Sequence, residues 1–437
     1  MKMTVFGVGY LGATHAACMA DLGHEVLGVD SDVDTVDSLR EGVVPFYEPD
    51  LQPLVRKQMD AGRLGFTTSA EEAAEFAGLH FLCVGTPQRR GSLAADLRAV
   101  HQVIDSLAPL LTPGSLVVGK STVPVGTAAA LAARMNELAP RGTAPELAWS
   151  PEFLREGFGV QDTLHPDRIV VGTTSPAAEA TLREVYAAPL TNGCPMIVTS
   201  LATAELVKVA ANSFLATKIS FINAMAEVCE ATGADVTQLA DAIGRDPRIG
   251  RRFLNAGLGF GGGCLPKDIR AFMARAGELG VDQAVGFLRE VDSVNMRRRT
   301  RVVDLTRELL DGQLIGRRIA VLGAAFKPNS DDVRDSPALN VAGQLQLQGS
   351  QVTVYDPKAN HRAKALFPTL TYADDLMSAA SGADVVLLLT EWPEFVGLDP
   401  DLLAKTVSSS NIVDGRNVLS PERWRAAGWA FRSMGRP

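Results

Sequence analysis

Nothing in this chain pairs its cysteines. The five, Cys18, Cys83, Cys194, Cys229 and Cys264, stand at spacings that fit neither a disulfide framework nor a metal-ligand set, so they read as reduced thiols. The six histidines do not cluster, and no metal site is expected. No apolar run approaches the roughly 20 residues that a membrane-spanning helix needs. There is no low-complexity tract and no block of like charge, and a formal charge of −8 argues against non-specific binding to nucleic acid or to a membrane surface. Strand-like Thr4-Val5-Phe6 follows the first residue almost at once, which leaves no room for a signal peptide; a cytoplasmic protein is expected. Lysine is scarce too, ten against 32 arginines, which draws attention to Lys208, Lys267 and Lys327.

What is present is a 437-residue chain, 46% hydrophobic, too long for one core and long enough for two or three domains. Short β-rich runs alternate with helical stretches in the first half, the sequence form of a parallel sheet covered by helices. Strands are predicted at Thr4–Phe6, Glu25–Val29, His80–Val84, Leu116–Lys120, Leu147–Trp149 and Arg168–Gly172. Residues 201–232 carry no Pro or Gly, and Gly233 supplies a stop, so one long helix is predicted there. A second helical stretch covers roughly 284–311. Strand patterns resume at Arg318–Leu322, Gln351–Tyr355, Asp384–Leu389 and Asn411–Val413. The expected fold class is α/β: two Rossmann-like domains with parallel sheets, residues 1–198 and 313–437, joined by a central long-helix domain, residues 199–312.

Gly7-Val8-Gly9-Tyr10-Leu11-Gly12 follows the first strand and opens a helix. The first glycine permits a tight turn, the second lets backbone approach a pyrophosphate, and the third lets helix pack on strand. Asp30, 18 residues beyond Gly12, ends the second strand where a carboxylate can take ribose hydroxyls. Asp32 and Asp34 would repel a 2′-phosphate, so the expected cofactor is NAD.

The second informative stretch is Gly259-Phe260-Gly261-Gly262-Gly263-Cys264-Leu265-Pro266-Lys267-Asp268. Pro266 suits the first turn of a following helix, which puts Cys264 at a helix N-terminus beside Lys267; both features favour a thiolate. On the long helix Lys208 and Asn212 share a face, able together to stabilise an alkoxide. Ser220, Asn223 and Glu227 continue that face. Periodicity alone leaves open whether this stripe is functional or merely solvated.

Together these residues resemble the UDP-glucose/GDP-mannose dehydrogenase family over nearly the whole chain. The resemblance is carried by the glycine turn, Gly85-Thr86-Pro87, Ser121-Thr122-Val123-Pro124-Val125-Gly126-Thr127, Ser150-Pro151-Glu152-Phe153-Leu154-Arg155-Glu156, Pro166-Asp167-Arg168, Lys208-x-x-x-Asn212, Arg248-Ile249-Gly250, the 259–268 loop, Phe326-Lys327-Pro328 and Asp331-Asp332-Val333-Arg334. It implies a four-electron, two-NAD oxidation of a nucleotide sugar's C6 hydroxyl to a carboxylate. UDP-glucose is the expected substrate, with GDP-mannose or TDP-glucose as alternatives. By resemblance Cys264 is the nucleophile, passing through a thiohemiacetal and a thioester. Lys208 and Asn212 hold the sugar oxygen, Asp268 assists proton transfer, Glu152 is the base for hydrolysis, and Thr122 orders the site. Gly7, Gly9, Tyr10, Leu11, Gly12, Asp30, Thr35, Gly85, Thr86, Thr122, Glu156, Lys267 and Arg334 are the implied NAD contacts. The implied substrate contacts are Glu152, Phe153, Leu154, Arg155, Lys208, Asn212, Phe253, Phe260, Gly261, Cys264, Lys327 and Arg416, with Arg248 reaching a partner subunit's sugar nucleotide. The second α/β domain has Gly323-Ala324-Ala325 where a GxGxxG turn would stand, which fits UDP rather than NAD.

Two departures from the family pattern stand out. Thr35 replaces a usual Lys or Arg, with Arg40 as a substitute, and Gly263 replaces Ser or Tyr, which suggests a more mobile loop. A two-electron hydroxyacid dehydrogenase would have no use for Cys264, and a nucleotide-sugar sensor would form no NADH. Lys267-Asp268 points away from N-acetylhexosamine dehydrogenases, which usually carry Val-Asp there. Leu206, Val209, Phe214, Phe221 and Met225 put apolar groups on several faces of the long helix, so at least a homodimer built on it is expected.

Overall fold

The computed structural model describes residues 1–437, and the chain falls into two compact units. The first comprises Met1–Ala211 with Arg270–Gly280, the second Asn212–Ile269 with Val281–Pro437. The middle of the chain, 199–312, is therefore shared between the two.

The first unit is built on eight strands: β1 (Lys2–Phe6), β2 (Glu25–Val29), β3 (Leu64–Thr67), β4 (Leu79–Leu82), β5 (Leu116–Gly119), β6 (Glu146–Trp149), β7 (Ile169–Gly172) and β8 (Met196–Thr199). Their spatial order is β3-β2-β1-β4-β5-β6-β7-β8. The wholly parallel sheet that was expected has one exception. β6 and β7 meet antiparallel, at Trp149 and Gly172 alone, because the connection between them carries only the six-residue helix Gly159–Leu164 and returns the chain in the opposite direction. The inner strands are buried on both faces, as a helix-covered sheet requires. Around them pack α1 (Tyr10–Asp21), α2 (Val33–Arg40) and α3 (Thr127–Leu138).

From β8 the chain enters α4 (Leu201–Thr232), 32 residues without an internal break. α5 (Leu265–Glu278) and α6 (Phe287–Leu309) follow. In the second unit the stripe on α4 is turned inward rather than solvated: Ser220 donates to the Val291 carbonyl at 2.7 Å, and Asn223 accepts from the Gly257 N–H at 2.9 Å. Glu227 instead pairs with Arg297 and Arg298. Six parallel strands complete this unit in the order β11-β10-β9-β12-β13-β14. They are β9 (Arg318–Leu322), β10 (Gln351–Tyr355), β11 (Thr371–Tyr372), β12 (Val385–Leu388), β13 (Asn411–Asp414) and β14 (Ala430–Ser433). α7 (Pro337–Leu347) packs beside α6.

Candidate active site

The N-terminal turn has the form a dinucleotide needs. Gly7 sits at φ +87°, and a methyl group on Gly12 would overlap the Gly7 carbonyl oxygen, so α1 can lie this close to β1 only with glycine at 12. Gly9, by contrast, is open to solvent with nothing beside it, and no side chain caps the helix that starts at Tyr10. A helix start with no side-chain cap and open space before it is what a pyrophosphate uses. Asp30 stands beside them, accepting from Val8 N–H at 2.9 Å and Asp32 N–H at 3.1 Å. Thr35 is turned back onto Asp32 at 2.8 Å, and Arg40 is committed to the Phe66 carbonyl and Asp37. Leu11 packs against the core, and Tyr10 lies 4.3 Å, ring to ring, from Phe46. At the end of β4, Gly85 is exposed, and buried Thr86 donates to the Thr122 carbonyl at 2.7 Å.

A buried ion pair that sequence reasoning missed organises the next loop. Lys120, 4% exposed, lies 3.0 Å from Glu152 and donates to Tyr186 at 3.3 Å. Burial alone would raise the Glu152 pKa, but the Lys120 ammonium and the Phe153 N–H outweigh it and hold the carboxyl down at about 2. Its Oε1 takes the Phe153 and Leu154 N–H groups at 2.7 and 3.0 Å. Phe153 in turn supports cations: Arg168 lies 3.9 Å and Lys208 5.3 Å from its ring centre. Arg155 is paired with Asp162, and Glu156 is half-buried in the same turn.

In the second unit the cysteine loop and α4 meet. Cys264, exposed, immediately precedes α5, and its carbonyl accepts from the Asp268 N–H at 3.0 Å, one helical turn on. Asp268 is 2% exposed. Its Oδ2 accepts from Asn212 at 2.6 Å and its Oδ1 from Lys267 at 2.5 Å. Lys208, one turn before Asn212 on α4, is also buried. Asn212, 56 residues from Asp268 in the sequence, thus forms one hydrogen-bonded group with Asp268 and Lys267 at the base of the cysteine loop.

The remaining expected contacts are scattered in role. Arg416 donates to the carbonyls of Leu389, Gly259 and Phe326, at 2.8, 3.4 and 3.0 Å, so its guanidinium ties the glycine loop to the Phe326-Lys327 turn. Lys327 lies over the Phe326 ring. Arg334 forms a two-armed pair with Asp332, while Phe260 and Gly261 are buried. Phe253 is exposed at φ +66°. Arg248 is exposed and paired only with neighbouring Asp246.

Three family models cover the chain in order. Residues 1–190 match the NAD binding domain of the UDP-glucose/GDP-mannose dehydrogenase family, 202–297 its central domain, and 320–421 its UDP binding domain. The chain belongs to this family. It is 40% identical over 439 residues to a UDP-glucose 6-dehydrogenase of Rhizobium meliloti, covering 100% of both chains. It is 39% identical over 450 residues to one from Pseudomonas aeruginosa, covering all of this chain and 98% of that one. Among solved structures, a UDP-glucose dehydrogenase from Pyrobaculum islandicum matches with a TM-score of 0.91 at 38% identity, over 100% of this chain and 98% of that one. A UDP-D-ManNAc dehydrogenase from Pyrococcus horikoshii matches with a TM-score of 0.87 at 27% identity, over 100% and 99%.

Membership makes the chain an NAD-dependent oxidoreductase, and the open turn at 7–12 fits that cofactor. No helix is long and apolar enough to cross a membrane. Beyond Lys120, the motifs did not reveal two further carboxylates that hold this dehydrogenase's loops. Buried Glu48 accepts from Gly157 and Gly159 N–H, both at 2.7 Å. Glu205 on α4 accepts from Gly126 and Ala128 N–H at 2.7 and 2.6 Å, capping α3 where it has no cap of its own. A buried acid three residues before Lys208 was the available signal.

Proposed function

We propose that this chain oxidises the C6 hydroxyl of UDP-glucose to the carboxylate of UDP-glucuronate, with Cys264 as the covalent nucleophile. The observation that carries the reading is the Asn212–Asp268 hydrogen bond one helical turn from Cys264. It joins an amide donor to a carboxylate, the two groups this reading needs to hold the alcohol oxygen and to take its proton. Gly7, Gly9, Tyr10, Leu11, Gly12, Asp30, Gly85, Thr86, Thr122 and Glu156 would hold NAD⁺, with Lys267 and Arg334, and the bound cofactor would supply the hydride acceptor for each of the two oxidations.

Asp268 accepts the hydroxyl proton in the first oxidation, and Lys208 and Asn212 hold the oxygen as charge develops. The Cys264 thiolate then bonds to the aldehyde carbon, and the resulting alkoxide takes a proton to give the thiohemiacetal. Loss of that hydroxyl proton in the second oxidation leaves a thioester. Water adds to it, the carbon–sulfur bond breaks, and carboxylate and thiolate separate as the two protons released pass by way of Asp268 to solvent. Glu152 was expected to be the base for this hydrolysis. A carboxyl held at about 2 by Lys120 is a weak proton acceptor, and we assign it instead to orienting water and the 152–155 backbone. Phe260, Gly261, Lys327, Arg416, Phe253 and the 152–155 segment, with Phe153 beneath Lys208, are the proposed substrate contacts.

We also infer a homodimer built on α4, with Arg248 serving the partner's substrate. Phe214, Phe221 and Val228, seven residues apart, are 67%, 50% and 53% exposed along the helix, with Leu206 at 40%; each such side chain gains about 1.5–3 kcal/mol on burial. Light scattering of Phe221→Glu against the unaltered chain checks this; a fully active monomer at assay concentration rules it out.

The direct test of the reaction counts products. Each UDP-glucose consumed should yield two NADH with no free aldehyde, and Cys264→Ser should stop turnover while leaving NAD and UDP-glucose binding intact. One NADH per sugar, or unchanged turnover in Cys264→Ser, overturns the four-electron reading.

A further inference from the structure

The residues that touch the glycine loop from behind carry an inference that rests on the proposed role of Cys264. Asn295, on α6, has no exposed surface. Its side-chain amide closes a two-bond ring with Phe260, accepting from the Phe260 N–H at 2.7 Å and donating to the Phe260 carbonyl at 3.0 Å. An amide side chain here does what a neighbouring strand would do, satisfying both polar groups of one loop residue. Arg299, one turn further along α6 and 1% exposed, donates to the same carbonyl at 3.2 Å. Its other arm donates to Asp335 at 2.7 Å. The loop lies close against α6: a methyl group on Gly259 would come 2.5 Å from the Asn295 amide oxygen.

Arg299 opens a second route to the same loop. The turn it grips at Asp335 also receives two further N–H groups of the loop, Gly262 to the Arg334 carbonyl at 2.9 Å and Gly263 to Asp332 at 3.3 Å. The residue after Gly263 is Cys264. Phe260, Gly262 and Gly263 are therefore all fixed, directly or through the 332–335 turn, to two buried side chains one turn apart on α6. Placement within about 1 Å governs covalent capture, and the backbone that leads into exposed Cys264 is the segment these bonds hold.

We propose that Asn295 and Arg299 are positioning residues for the nucleophile: they hold the 260–263 backbone so that the Cys264 sulfur captures the aldehyde before it escapes. A general loss of folding or of substrate affinity would slow both oxidations together. Loss of positioning impairs the thiohemiacetal step, and the aldehyde leaks.

The test is run on the full-length chain with UDP-glucose and NAD, adding semicarbazide to trap aldehyde and measuring NADH, UDP-glucuronate and UDP affinity. Asn295→Asp keeps the volume and the bond from Phe260 N–H but loses the donor. Arg299→Ala removes both arms, and Arg299→Lys restores the charge and one donor. In Asn295→Asp and Arg299→Ala, UDP-glucuronate formation should fall at least tenfold with UDP affinity within threefold, and NADH per glucuronate should rise above two with trapped aldehyde. Arg299→Lys should recover part of the ratio. Should Arg299→Ala lose UDP binding through misfolding, the near-isosteric Asn295→Asp decides alone. A ratio that stays at two in the variants, whether the rate falls or not, overturns the proposal. Cys264→Ser is measured in parallel: if it makes glucuronate at the unaltered rate, the nucleophile reading itself has failed, a result separate from failure of the clamp.

Discussion

Two strand–turn–acid units stand in this chain, and they use the same parts for opposite ends. In the first, β1 runs into Gly7 and β2 ends at Asp30, whose carboxylate is half-buried and accepts two N–H groups while α1 begins uncapped at Tyr10. In the second, β9 runs into Gly323 at φ +110° and β10 ends at Asp356. That carboxylate is 2% exposed and accepts from Ala324, Ala325, Lys358 and Ala359 N–H and from the Trp392 indole, at 2.8, 2.9, 2.9, 2.8 and 3.1 Å. The following helix does not start until Pro337 and is capped by Ser336. The first turn keeps a helix start without a side-chain cap and a carboxylate with a solvent-facing side; the second spends its acid on its own fold. A strand, a glycine and an acid therefore do not make a dinucleotide site unless the helix begins at the turn and the acid keeps a solvent-facing side.

The largest effect that would break this comparison is on stability. Asp356→Ala strands at least four buried donors, at about 1–3 kcal/mol each, so we expect a loss of about 4 kcal/mol or more. That is comparable with the whole stability of a domain. Denaturant unfolding checks it; an unchanged midpoint would mean that Asp356 is as free as Asp30.

Next in size is Glu152, the carboxylate paired with buried Lys120. Glu152→Gln should cost about 3 kcal/mol by leaving Lys120 unpaired in the core. Because the folded-state pKa lies below the ordinary 4.5, at about 2, the stabilisation is complete above pH 4.5 and is lost as pH falls from there towards 2. Acid unfolding of the unaltered chain should show this dependence and Glu152→Gln should lack it. Identical acid profiles would remove the ion pair from the account.

Asp30→Ala should act on ligand rather than fold, weakening NAD by about 1.5–3 kcal/mol with UDP-glucose affinity unchanged. Calorimetric titration with each ligand separates the two. A drop in sugar-nucleotide affinity would detach the first turn from the cofactor.

The contrast between these acids also marks what the sequence could and could not display. The places of the glycine turn, Asp30, Cys264 and the Lys208–Asn212 pair were legible because each is a matter of local geometry: a tight turn, a strand end, a helix start, one helical face. The long helix was legible to the residue, since nothing interrupts it between Leu201 and Thr232. β3 and β8 were not. The first holds a glycine within four residues and the second is a half-exposed edge, so neither shows a continuous apolar run. β11 is only two residues long, and β14 alternates exposed with buried over four. Lys120, Glu205, Asn295 and Arg299 escaped for a different reason. Their partners lie 32 to 79 residues away, and no spacing rule reports a tertiary contact.

The smallest expected effect concerns Gly263, where the absence of a side chain suggested mobility. Its N–H and that of Gly262 are both bonded, and its φ is not in the left-handed region, so conformational freedom is not what glycine supplies there. Space is: a methyl group at 263 would overlap the Arg334 guanidinium, which lies across the loop and is held by both oxygens of Asp332. Unlike Gly12, whose obstacle is a carbonyl oxygen of the backbone, Gly263 faces the far end of a flexible side chain. Gly263→Ser should therefore cost less than about 1 kcal/mol in unfolding free energy, within the usual range of a substitution that moves only a surface group. It should still displace Arg334 and raise the Michaelis constant for NAD, to which that arginine is assigned. Gly12→Ala should abolish NAD binding outright. If Gly263→Ser destabilises the chain as much as Gly12→Ala, the glycine loop is a backbone constraint like the first turn, and the distinction between glycine for space and glycine for conformation fails at this site.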